Sequence, residues 1–314
     1  MDRNARIYVA GHRGMVGSAI CRALRAHGHA NLLQRTSAEL DLTDPAQVEA
    51  FFATERPEYV FLAAARVGGI LANDQRGGDF IRENLMIQTN VIDAAHRHGA
   101  RKLLFLGSSC IYPRHAEQPI PEDALLTGPL EETNKPYAVA KIAGKVMCDA
   151  YRRQFGFDAF TVMPSNVFGV GDNFDPESSH VVAGLMRRFH EARLAGVPEV
   201  TAWGDGSPLR ELVDADDLGD ACVFLMDTYE EGGMINAGSS EEISIRELTV
   251  MIAEITGYEG RIVWDTSKPN GTPRKIMDNS RLHALGWQPK SSIRTGLEKM
   301  YDWYCRTGGD RARS

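Results

Sequence analysis

The sequence predicts an α/β fold in which a doubly wound parallel sheet precedes a smaller C-terminal lobe. Short apolar runs alternate with helical patterns from residue 6 to about residue 166, which is the rhythm of strand–helix–strand crossovers. The predicted strands are almost continuously apolar, as expected when helices cover both faces of a sheet. After Asn166 a polar loop rich in Gly, Asp and Pro replaces the alternation, so the architecture should change there.

Most of the predicted strands in the first half of the chain are followed by a predicted helix. The strand patterns, in order, are "ARIYVAG", "NLLQR", "YVFLAAA", "KLLFLG" and "DAFTVMPSN". The helix patterns are "SAICRALRAHG", "DPAQVEAFFATERP", "DFIRENLMIQTNVIDAAHRHG" and "YAVAKIAGKVMCDAYRRQFG". Gly28 is placed to stop the first helix, and Asp44 is placed to cap the second, with Pro45 at its first position.

The second half of the chain contributes to both parts of the predicted fold. It contains the helix patterns "HVVAGLMRRFHEARLAG" and "DADDLGDACVFLMDTYE" and the strand pattern "GGMINAGS". The last two are expected to return to the main sheet. We therefore assign residues 1–166, with 213–240, to a first domain, and residues 167–212 and 241–314 to the smaller lobe.

Composition excludes several classes of protein. The chain has 314 residues and a net charge of −7, which does not favour a nucleic-acid partner. No apolar stretch approaches the roughly 20 residues of a membrane span, and the N-terminus lacks a signal-peptide pattern. The five cysteines form no CxxC pair, so neither a disulfide framework nor a metal site is predicted. A cytoplasmic location is expected.

A glycine-rich loop lies directly between the first predicted strand and the first helix. Its sequence, GxxGxxG, consists of Gly11, His12, Arg13, Gly14, Met15, Val16 and Gly17. Glycines at these positions permit a tight turn and close approach of the backbone to a pyrophosphate, which then faces the helix N-terminus. Since strand, loop and helix are all in place, the loop predicts a Rossmann-type dinucleotide site.

The choice of dinucleotide depends on the end of the second strand. Sites for NAD place an acidic residue there to hold the ribose hydroxyls, but this strand ends in Gln34 and Arg35. Arg13 in the glycine loop adds a second guanidinium, and two such groups suit a 2′-phosphate. The sequence therefore favours NADP(H). The alternative is that both arginines are solvated surface residues.

A phenol and an ammonium are predicted to share one face of a helix. Tyr137 and Lys141 are four residues apart near the start of the fourth helix pattern. A lysine charge favours the phenolate, so we expect Lys141 to lower the pKa of Tyr137 and make it a better proton carrier. Ser108, at the end of the "KLLFLG" strand, is placed to hydrogen-bond the same substrate oxygen. These three residues predict a ketone reduction.

Seven stretches carry a resemblance to a known family: "AGHRGMVGSAI", "LAAARVGGI", "FLGSSCIYP", "PYAVAKIAG", "DNFDPESSHV", "LMRRFHEA" and "KPNGTPRK". They extend over nearly the whole chain, from about residue 6 to residue 305. The chain resembles the extended short-chain dehydrogenase/reductase superfamily, whose members act on nucleotide sugars. Within it, the chain is similar to enzymes that epimerise carbons 3 and 5 of GDP-4-keto-6-deoxy-D-mannose and then reduce its 4-keto group.

The resemblance implies roles that spacing alone does not supply. It implies that Cys110 and His180 move protons at carbons 3 and 5, while Ser108, Tyr137 and Lys141 serve the reduction. A thiol and an imidazole both exchange protons near neutral pH. Besides the glycine loop and Arg35, the implied cofactor contacts are Leu106, Gly107, Lys141, Pro164, Ser165, Asn166, Val167 and His180.

The resemblance also implies substrate contacts in the smaller lobe. They are Arg188 and Arg210 for the diphosphate, Trp203 for stacking, and Asn270 in the "KPNGTPRK" loop. The family pattern has aspartate where this chain has Asn270, so a contact to a sugar hydroxyl is expected to differ. The segment "LRELVDADD" also departs from the family pattern but keeps Arg210.

Three further expectations remain. One alternative is another nucleotide-sugar 4-epimerase or 4-reductase of the same superfamily, which would need Tyr137 and Lys141 but not Cys110 or His180. A second alternative is a non-enzymatic NADPH sensor, although such proteins commonly lose the Tyr–Lys pair that this chain keeps. Similarity to the superfamily also implies a homodimer, formed through the "DFIRENLMIQTNVIDAAHRHG" helix and the helix after Tyr137.

Overall fold

A six-stranded parallel sheet forms the centre of the computed structural model, which describes residues 1–176, 178–268 and 270–310. The strands are β1 (Ile7–Ala10), β2 (Leu32–Leu33), β3 (Tyr59–Leu62), β4 (Lys102–Leu106), β5 (Asp158–Pro164), β6 (Asn166–Phe168), β7 (Glu199–Trp203), β8 (Leu209–Asp214), β9 (Gly233–Ala237), β10 (Glu242–Ser244), β11 (Arg261–Asp265) and β12 (Arg274–Lys275). The helices are α1 (Met15–Ala26), α2 (Pro45–Glu55), α3 (Ile70–Gln75), α4 (Gly77–Arg97), α5 (Lys135–Phe155), α6 (Val181–Ala195), α7 (Ala215–Thr228), α8 (Ile245–Thr256), α9 (Ser280–Ala284) and α10 (Ile293–Thr307).

The order of the central sheet creates a crevice at the end of β1. The strands lie in the order β2-β1-β3-β4-β5-β9, and every neighbouring pair is parallel. Because β2 and β3 lie on opposite sides of β1, the strand order reverses there, and the chain connections on the two sides of this point run in opposite directions along the sheet. Such a reversal opens a crevice at the carboxyl ends of the strands, where open α/β sheets bind ligands. The predicted Rossmann-type α/β fold is confirmed.

Alternate residues of each central strand supply two different cores. Ile7 and Val9 of β1 pack with α1 and α7, while Tyr8 packs on the opposite face with α2 and α4. In β4, Leu104 belongs to the first core and Phe105 to the second. Successive side chains of a strand point to opposite faces, so a strand covered on both faces must be apolar throughout. This is why the strand patterns read as continuous apolar runs.

The second half of the chain builds smaller sheets beside the central one. β8 pairs with β6, β10 and β12, and β7 pairs with β11. Helices α6, α8 and α10 bury their apolar faces together in a separate core. β9 joins the central sheet beside β5. The assignment of residues 167–212 and 241–314 to a substrate lobe stays a prediction, and residues 311–314 lie outside the described residues.

Local signals agree with the structure at one helix and fail at one strand. Asp44 caps α2, since its side chain accepts hydrogen bonds from the backbone of Ala46 and Gln47, as its position before Pro45 predicts. The "NLLQR" strand was expected to span five residues, but β2 contains two. β2 is an edge strand with one neighbour, β1, and only Leu32 and Leu33 pair with it.

Two negative findings apply to the described part of the chain. None of its helices is both long and apolar enough to cross a membrane. It also contains no group of three or more His, Cys, Asp or Glu side chains arranged to hold a metal ion.

A buried asparagine ties the loop after β4 to the C-terminal segment. Asn236 on β9 donates to the carbonyl oxygens of Ile120 and Asp278, each at 3.0 Å, and accepts from the Tyr112 hydroxyl at 2.5 Å. It is fully buried. Buried polar groups need such partners, because leaving them unpaired costs more than the bonds contribute. The segment that carries β12 is thereby fixed beside the end of β4.

We predict that Asn236→Ala lowers the free energy of unfolding by roughly 2–4 kcal/mol, because it removes two hydrogen bonds to backbone carbonyls and leaves the buried Tyr112 hydroxyl without its partner. Urea unfolding monitored by circular dichroism measures the change. Asn31→Ala is the matched control, since Asn31 is exposed and makes one side-chain bond, to the Asn4 carbonyl. A loss no larger than that of the control would contradict the prediction.

Candidate active site

The loop between β1 and α1 has no room for side chains at two of its glycines. Gly11 has a φ of +82°, and a Cβ there would lie 2.7 Å from the Ala64 nitrogen. A Cβ on Gly17 would lie 2.1 Å from the Gly11 carbonyl oxygen. Gly14 caps α1, whose first turn carries no acidic residue. The free N–H groups and the positive end of the helix dipole therefore face the crevice, and the loop fits a dinucleotide pyrophosphate.

Arg35 is held in place just beyond β2. Its guanidinium donates to the Glu55 carboxylate at 2.5 Å and to the backbone carbonyl of Gln34 at 2.9 Å. The guanidinium carbon also lies 5.6 Å from the centre of the Phe51 ring. Arg13 in the glycine loop is exposed. A guanidinium has five N–H donors, so Arg35 keeps donors for a further anion. The remaining loop residues, His12, Met15 and Val16, are half-buried.

The end of β4 brings a hydroxyl and a thiol into one turn. Leu106 ends the strand, and Gly107 follows where a Cβ would lie 2.3 Å from the Met163 sulfur. The Ser108 hydroxyl then accepts a hydrogen bond from the backbone N–H of Cys110 at 3.3 Å, at the start of a short 3₁₀ turn. The apolar run stops at Gly107 because the next residues leave the sheet. Ser108 and Cys110 are both half-buried.

Tyr137 and Lys141 bring α5 against the same strand end. Tyr137 hydrogen-bonds with the Ser108 side chain. One turn later, the Lys141 Nζ atom donates to the Leu106 carbonyl oxygen at 2.7 Å and lies 4.7 Å from the centre of the Phe105 ring. The structure therefore brings together the serine, tyrosine and lysine that the sequence singled out.

The expected effect of Lys141 on the phenol is wrong for the cofactor-free chain. Burial raises the pKa of Tyr137, negative charge at Cys110 raises it further, and the hydrogen bond with Ser108 lowers it. Burial also lowers the pKa of Lys141, to about 7. The ammonium lies 5.9 Å from the centre of the Tyr137 ring, and its hydrogen bond goes to a backbone carbonyl. Burial therefore sets the direction of both shifts, and Lys141 is not among the groups that shift the pKa of Tyr137.

Cys110 has polar surroundings. Its Sγ atom lies 4.0 Å from the Lys275 Nζ atom. Both residues line a cavity of about 80 Å³, together with Tyr112, Arg114, Gln118, Glu131 and other residues of the loop after β4 and of β12. The thiol is also close enough to Tyr137 for its charge to affect that phenol. It is therefore available for proton transfer beside the phenol.

His180 stands apart from this group in the described residues. It occupies the residue before α6, where its carbonyl accepts from Gly184, but its side chain makes no capping hydrogen bond. The imidazole is exposed. No described contact joins His180 to Ser108, Cys110 or Tyr137, so its roles in proton transfer and cofactor binding stay predictions.

The end of β5 supplies the remaining predicted cofactor residues. Pro164 ends the strand, and Ser165 donates its backbone N–H to the Ala237 carbonyl at 3.1 Å. The Ser165 hydroxyl is buried without a hydrogen-bond partner among the described residues. Asn166 donates to the Glu211 carbonyl at 2.8 Å, and Val167 is half-buried. The unpartnered hydroxyl is consistent with a ligand at this end of the crevice, because buried polar groups are rarely left unsatisfied.

Two predicted substrate cations lack carboxylate partners in the described part of the chain. Arg188 on α6 donates to the Thr201 carbonyl at 3.1 Å, and Arg210 on β8 donates to the Leu209 carbonyl at 2.8 Å. Burial lowers the pKa of both side chains. Partial desolvation without a counter-charge is unfavourable, so the pair fits an anionic ligand.

Trp203 and Asn270 lie on two loops that contact each other. Trp203 is 66% exposed at the end of β7, and the Lys268 Nζ atom lies 5.8 Å from the centre of its ring. The Asn270 Oδ1 atom accepts from the Asp205 backbone N–H at 2.9 Å. Asn270 therefore joins the loop after β7 to the loop before β12, and any contact with a sugar hydroxyl stays a prediction.

Sequence reasoning missed Lys275. The residue belongs to the "KPNGTPRK" stretch, which was interpreted as a loop over the substrate. Nothing in the spacing links it to Cys110, 165 residues away. The pairing of β12 with β8 and the bond from Ile276 to Gln118 together place its ammonium beside the thiol.

Comparison with known proteins gives consistent results. The profile of the NAD dependent epimerase/dehydratase family matches residues 7–238. The chain is 59% identical to a putative GDP-L-fucose synthase 2 of Arabidopsis thaliana, over 97% of this chain and 93% of that protein. It is 50% identical to the GDP-L-fucose synthase of Escherichia coli K12, over 95% and 96% of the two chains. Its fold matches that of a GDP-L-fucose synthetase from Naegleria fowleri bound to NADP, with a TM-score of 0.92, 27% identity and coverage of 98% and 95%.

We predict that burial of Lys141 makes the stability of the cofactor-free protein rise with pH. The ordinary pKa of lysine is 10.5 and that of Lys141 is about 7, so the unfolded chain binds the extra proton between these values. The free energy of unfolding should therefore increase between pH 7 and pH 10. Lys141→Met should remove this increase and stabilise the protein at pH 7 by roughly 1–3 kcal/mol.

Urea unfolding at pH 7 and pH 9 measures both effects. Lys145→Met, one turn later on α5, serves as the control and should keep the wild-type slope. A Lys141→Met protein with the wild-type slope would show that the ammonium is not desolvated.

Proposed function

The chain belongs to the NAD dependent epimerase/dehydratase family, and from that premise we propose that it converts GDP-4-keto-6-deoxy-D-mannose to GDP-L-fucose with NADPH. The observation that carries the proposal is the position of Cys110. Its backbone N–H bonds the Ser108 hydroxyl, and its thiol lies close enough to Tyr137 to change the pKa of the phenol. A thiol that can donate or accept a proton, placed beside the Tyr137 and Lys141 pair of a reductase, allows both epimerisation and reduction at one ketone.

The first half of the reaction needs a base and an acid at carbons 3 and 5. The 4-keto group acidifies the hydrogens on both neighbouring carbons. One of Cys110 and His180 removes the proton, the C–H electron pair moves into an enolate, and the other residue returns a proton to the opposite face. The hydroxyls of Tyr137 and Ser108 stabilise the enolate oxygen as its charge develops.

The second half of the reaction reduces carbon 4. NADPH supplies the hydride when it is bound. The glycine loop holds its pyrophosphate, Arg13 and Arg35 its 2′-phosphate, and Lys141 its nicotinamide ribose. Leu106, Gly107 and the 164–167 segment surround the nicotinamide. Tyr137 donates the proton to the oxygen of carbon 4, and Ser108 holds that oxygen in place.

The GDP portion of the substrate meets the smaller lobe. Arg188 and Arg210 bind the diphosphate, and the exposed ring of Trp203 stacks on the base or the sugar. The absence of carboxylate partners for the two arginines among the described residues supports this assignment. Asn270 contributes to substrate binding through its own side chain or by holding the loop after β7, through its bond with the Asp205 N–H.

The alternative functions would use fewer of the residues in the candidate site. A 4-epimerase or a simple 4-reductase of the same family would use Tyr137 and Lys141 without a thiol, and a sensor would need neither. The polar surroundings of Cys110 favour the bifunctional enzyme, because an inert cysteine is usually packed among apolar side chains. The cytoplasmic location and the lack of nucleic-acid or membrane partners stay predictions.

We also propose that the protein forms a homodimer through α4 and α5. These helices pack side by side on one face of the central sheet. Val139 and Val146 on α5 are 39% and 49% exposed. Residues seven apart lie on the same face of a helix, two turns from each other, so the valines form an apolar stripe for a second copy.

We predict that Cys110→Ser abolishes most proton exchange at carbons 3 and 5 while NADPH binding stays within about twofold of wild type. A hydroxyl matches the size of the thiol but is a far weaker acid, so exchange should fall by at least about 10²-fold. Incubation with GDP-4-keto-6-deoxy-D-mannose in deuterated solvent, followed by NMR, measures deuterium at each carbon. GDP-L-fucose formation at the native rate by Cys110→Ala would refute the role of the thiol.

Tyr137→Phe is the matched variant for the reduction step. It removes the proton donor but leaves the thiol and the glycine loop intact, so NADPH oxidation should stop while NADPH still binds. If the two substitutions produced the same pattern of deuteration and NADPH oxidation, the division of labour between thiol and phenol would be wrong.

We predict that Val146→Glu splits the dimer, because it buries a charge at the apolar stripe. Light scattering should give about twice the chain mass of 34.6 kDa for the wild type and the chain mass for the variant. Val250→Glu on α8 provides the control, since Val250 is 43% exposed but far from the stripe in sequence and on another helix. A monomeric wild type would end the dimer proposal.

A further inference from the structure

We propose that Lys275 is a positioning residue for the reaction, acting through Cys110. Its ammonium favours the thiolate form that removes a proton from the sugar carbon. The inference rests on the proposed function for its catalytic consequence, but the contact between ammonium and thiol can be tested without substrate.

The contact is specific to this lysine. The Lys275 Nζ atom lies 4.0 Å from the Cys110 Sγ atom, and both residues line the same cavity of about 80 Å³. Lys275 is half-buried, and no carboxylate lies within ion-pair distance of it in residues 1–176, 178–268 and 270–310. The neighbouring Arg274 is paired with Glu242 at 2.6 Å. Lys275 is therefore an uncompensated charge facing a thiol.

The backbone around Lys275 is anchored from two directions. Lys275 pairs with Arg210 across β12 and β8. The next residue, Ile276, donates its N–H to the Gln118 Oε1 atom at 2.8 Å, and Met277 donates to the buried Glu211 carboxylate at 2.8 Å. Gln118 belongs to the loop that begins at Cys110. The same loop thus carries the thiol and fixes the strand that carries the ammonium.

A positive charge at this distance favours ionisation of a thiol, because an opposite charge within about 4–6 Å stabilises the charged form. The other ionisable groups facing the cavity or the thiol are Tyr112, Tyr137, Arg114, Glu131 and Arg274. Burial raises the pKa of Tyr112, so that phenol stays neutral near pH 7. Burial raises the pKa of Glu131, but hydrogen bonds from Thr133 and Asn134 and the charge of Arg114 together lower it. Arg274 is offset by Glu242. Among these cations, Lys275 is the one that a described contact places against the thiol.

The inference makes Cys110 the base of the pair, and the thiolate is the species that this role requires. It takes the proton from the carbon beside the ketone, the C–H electron pair enters the enolate, and the proton ends on sulfur. A neutral thiol cannot accept that proton. Removing the ammonium should therefore slow proton abstraction without changing the groups that hold NADPH.

Alkylation of Cys110 by iodoacetamide tests the contact directly in the cofactor-free protein. Cys305 is exposed and the other three cysteines are buried, so a Cys305→Ser background leaves Cys110 as the accessible thiol. Iodoacetamide is uncharged, so its approach does not depend on the ammonium. At pH 7, Lys275→Met should slow alkylation by about three- to tenfold and shift the profile to higher pH by about half a unit to one unit.

Three further variants make the result specific. Lys275→Arg keeps the charge and should stay within about twofold of the background rate. Arg274→Met removes a neighbouring cation already offset by Glu242 and should do the same. Lys275→Gln provides a second neutral variant in case Lys275→Met fails to fold, which circular dichroism would reveal. An unchanged rate in both neutral variants, or an equal loss in Arg274→Met, would overturn the proposal.

An assay of the reaction itself distinguishes a positioning role of Lys275 from a role in substrate binding. With GDP-4-keto-6-deoxy-D-mannose in deuterated solvent, Lys275→Met should lower deuterium incorporation at saturating substrate by about three- to tenfold, with KM within about twofold. A raised KM with unchanged incorporation would mean that Lys275 binds substrate, and the proposal would fail. If the wild type itself showed no incorporation, the proposed function would fail, while alkylation would still decide the contact.

Discussion

The hydrogen bond from Lys141 to the Leu106 carbonyl is the interaction on which the site depends. The ammonium is buried, so it needs that carbonyl and the face of the Phe105 ring to remain there at all. In meeting this need it locks α5 against the end of β4. Tyr137 precedes Lys141 by one helical turn, and Ser108 follows Leu106 by two residues. One bond therefore sets the distance between the phenol and the serine.

The topology of the sheet explains why groups far apart in sequence meet at this place. Parallel strands end at the same edge, so the glycine loop after β1, Ser108 after β4 and Ser165 after β5 all emerge on one side. The smaller sheets then bring a second set of groups to that side. β8 carries Arg210 and pairs with β12, whose Lys275 contacts the cysteine beyond β4.

Signals that act over a few residues could be predicted from the sequence. Asp44 before Pro45 caps α2 because capping is a local hydrogen bond, and Gly17 is required by a contact within one turn, with the Gly11 carbonyl. The lack of space at Gly11 beside Ala64, after β3, is a long-range contact that only the fold shows. The raised pKa of Tyr137 could not be predicted, because it depends on how much of the chain buries the ring. The length of β2 depends on its place at the sheet edge. The contact of Lys275 with Cys110 depends on strand pairing that no motif encodes.

Two charges that the fold leaves without counter-charges bear on the proposed binding of an anionic substrate. The chain as a whole carries a net charge of −7, yet Arg188 and Arg210 are partly desolvated without carboxylate partners among the described residues. Folding would favour an arrangement in which these cations were paired or fully hydrated. In the proposed function, the substrate diphosphate supplies the missing counter-charge, and part of its binding free energy then comes from groups that the fold leaves unsatisfied. The same reasoning applies to Lys275, except that the group proposed to answer its charge is the side chain of Cys110, within the protein.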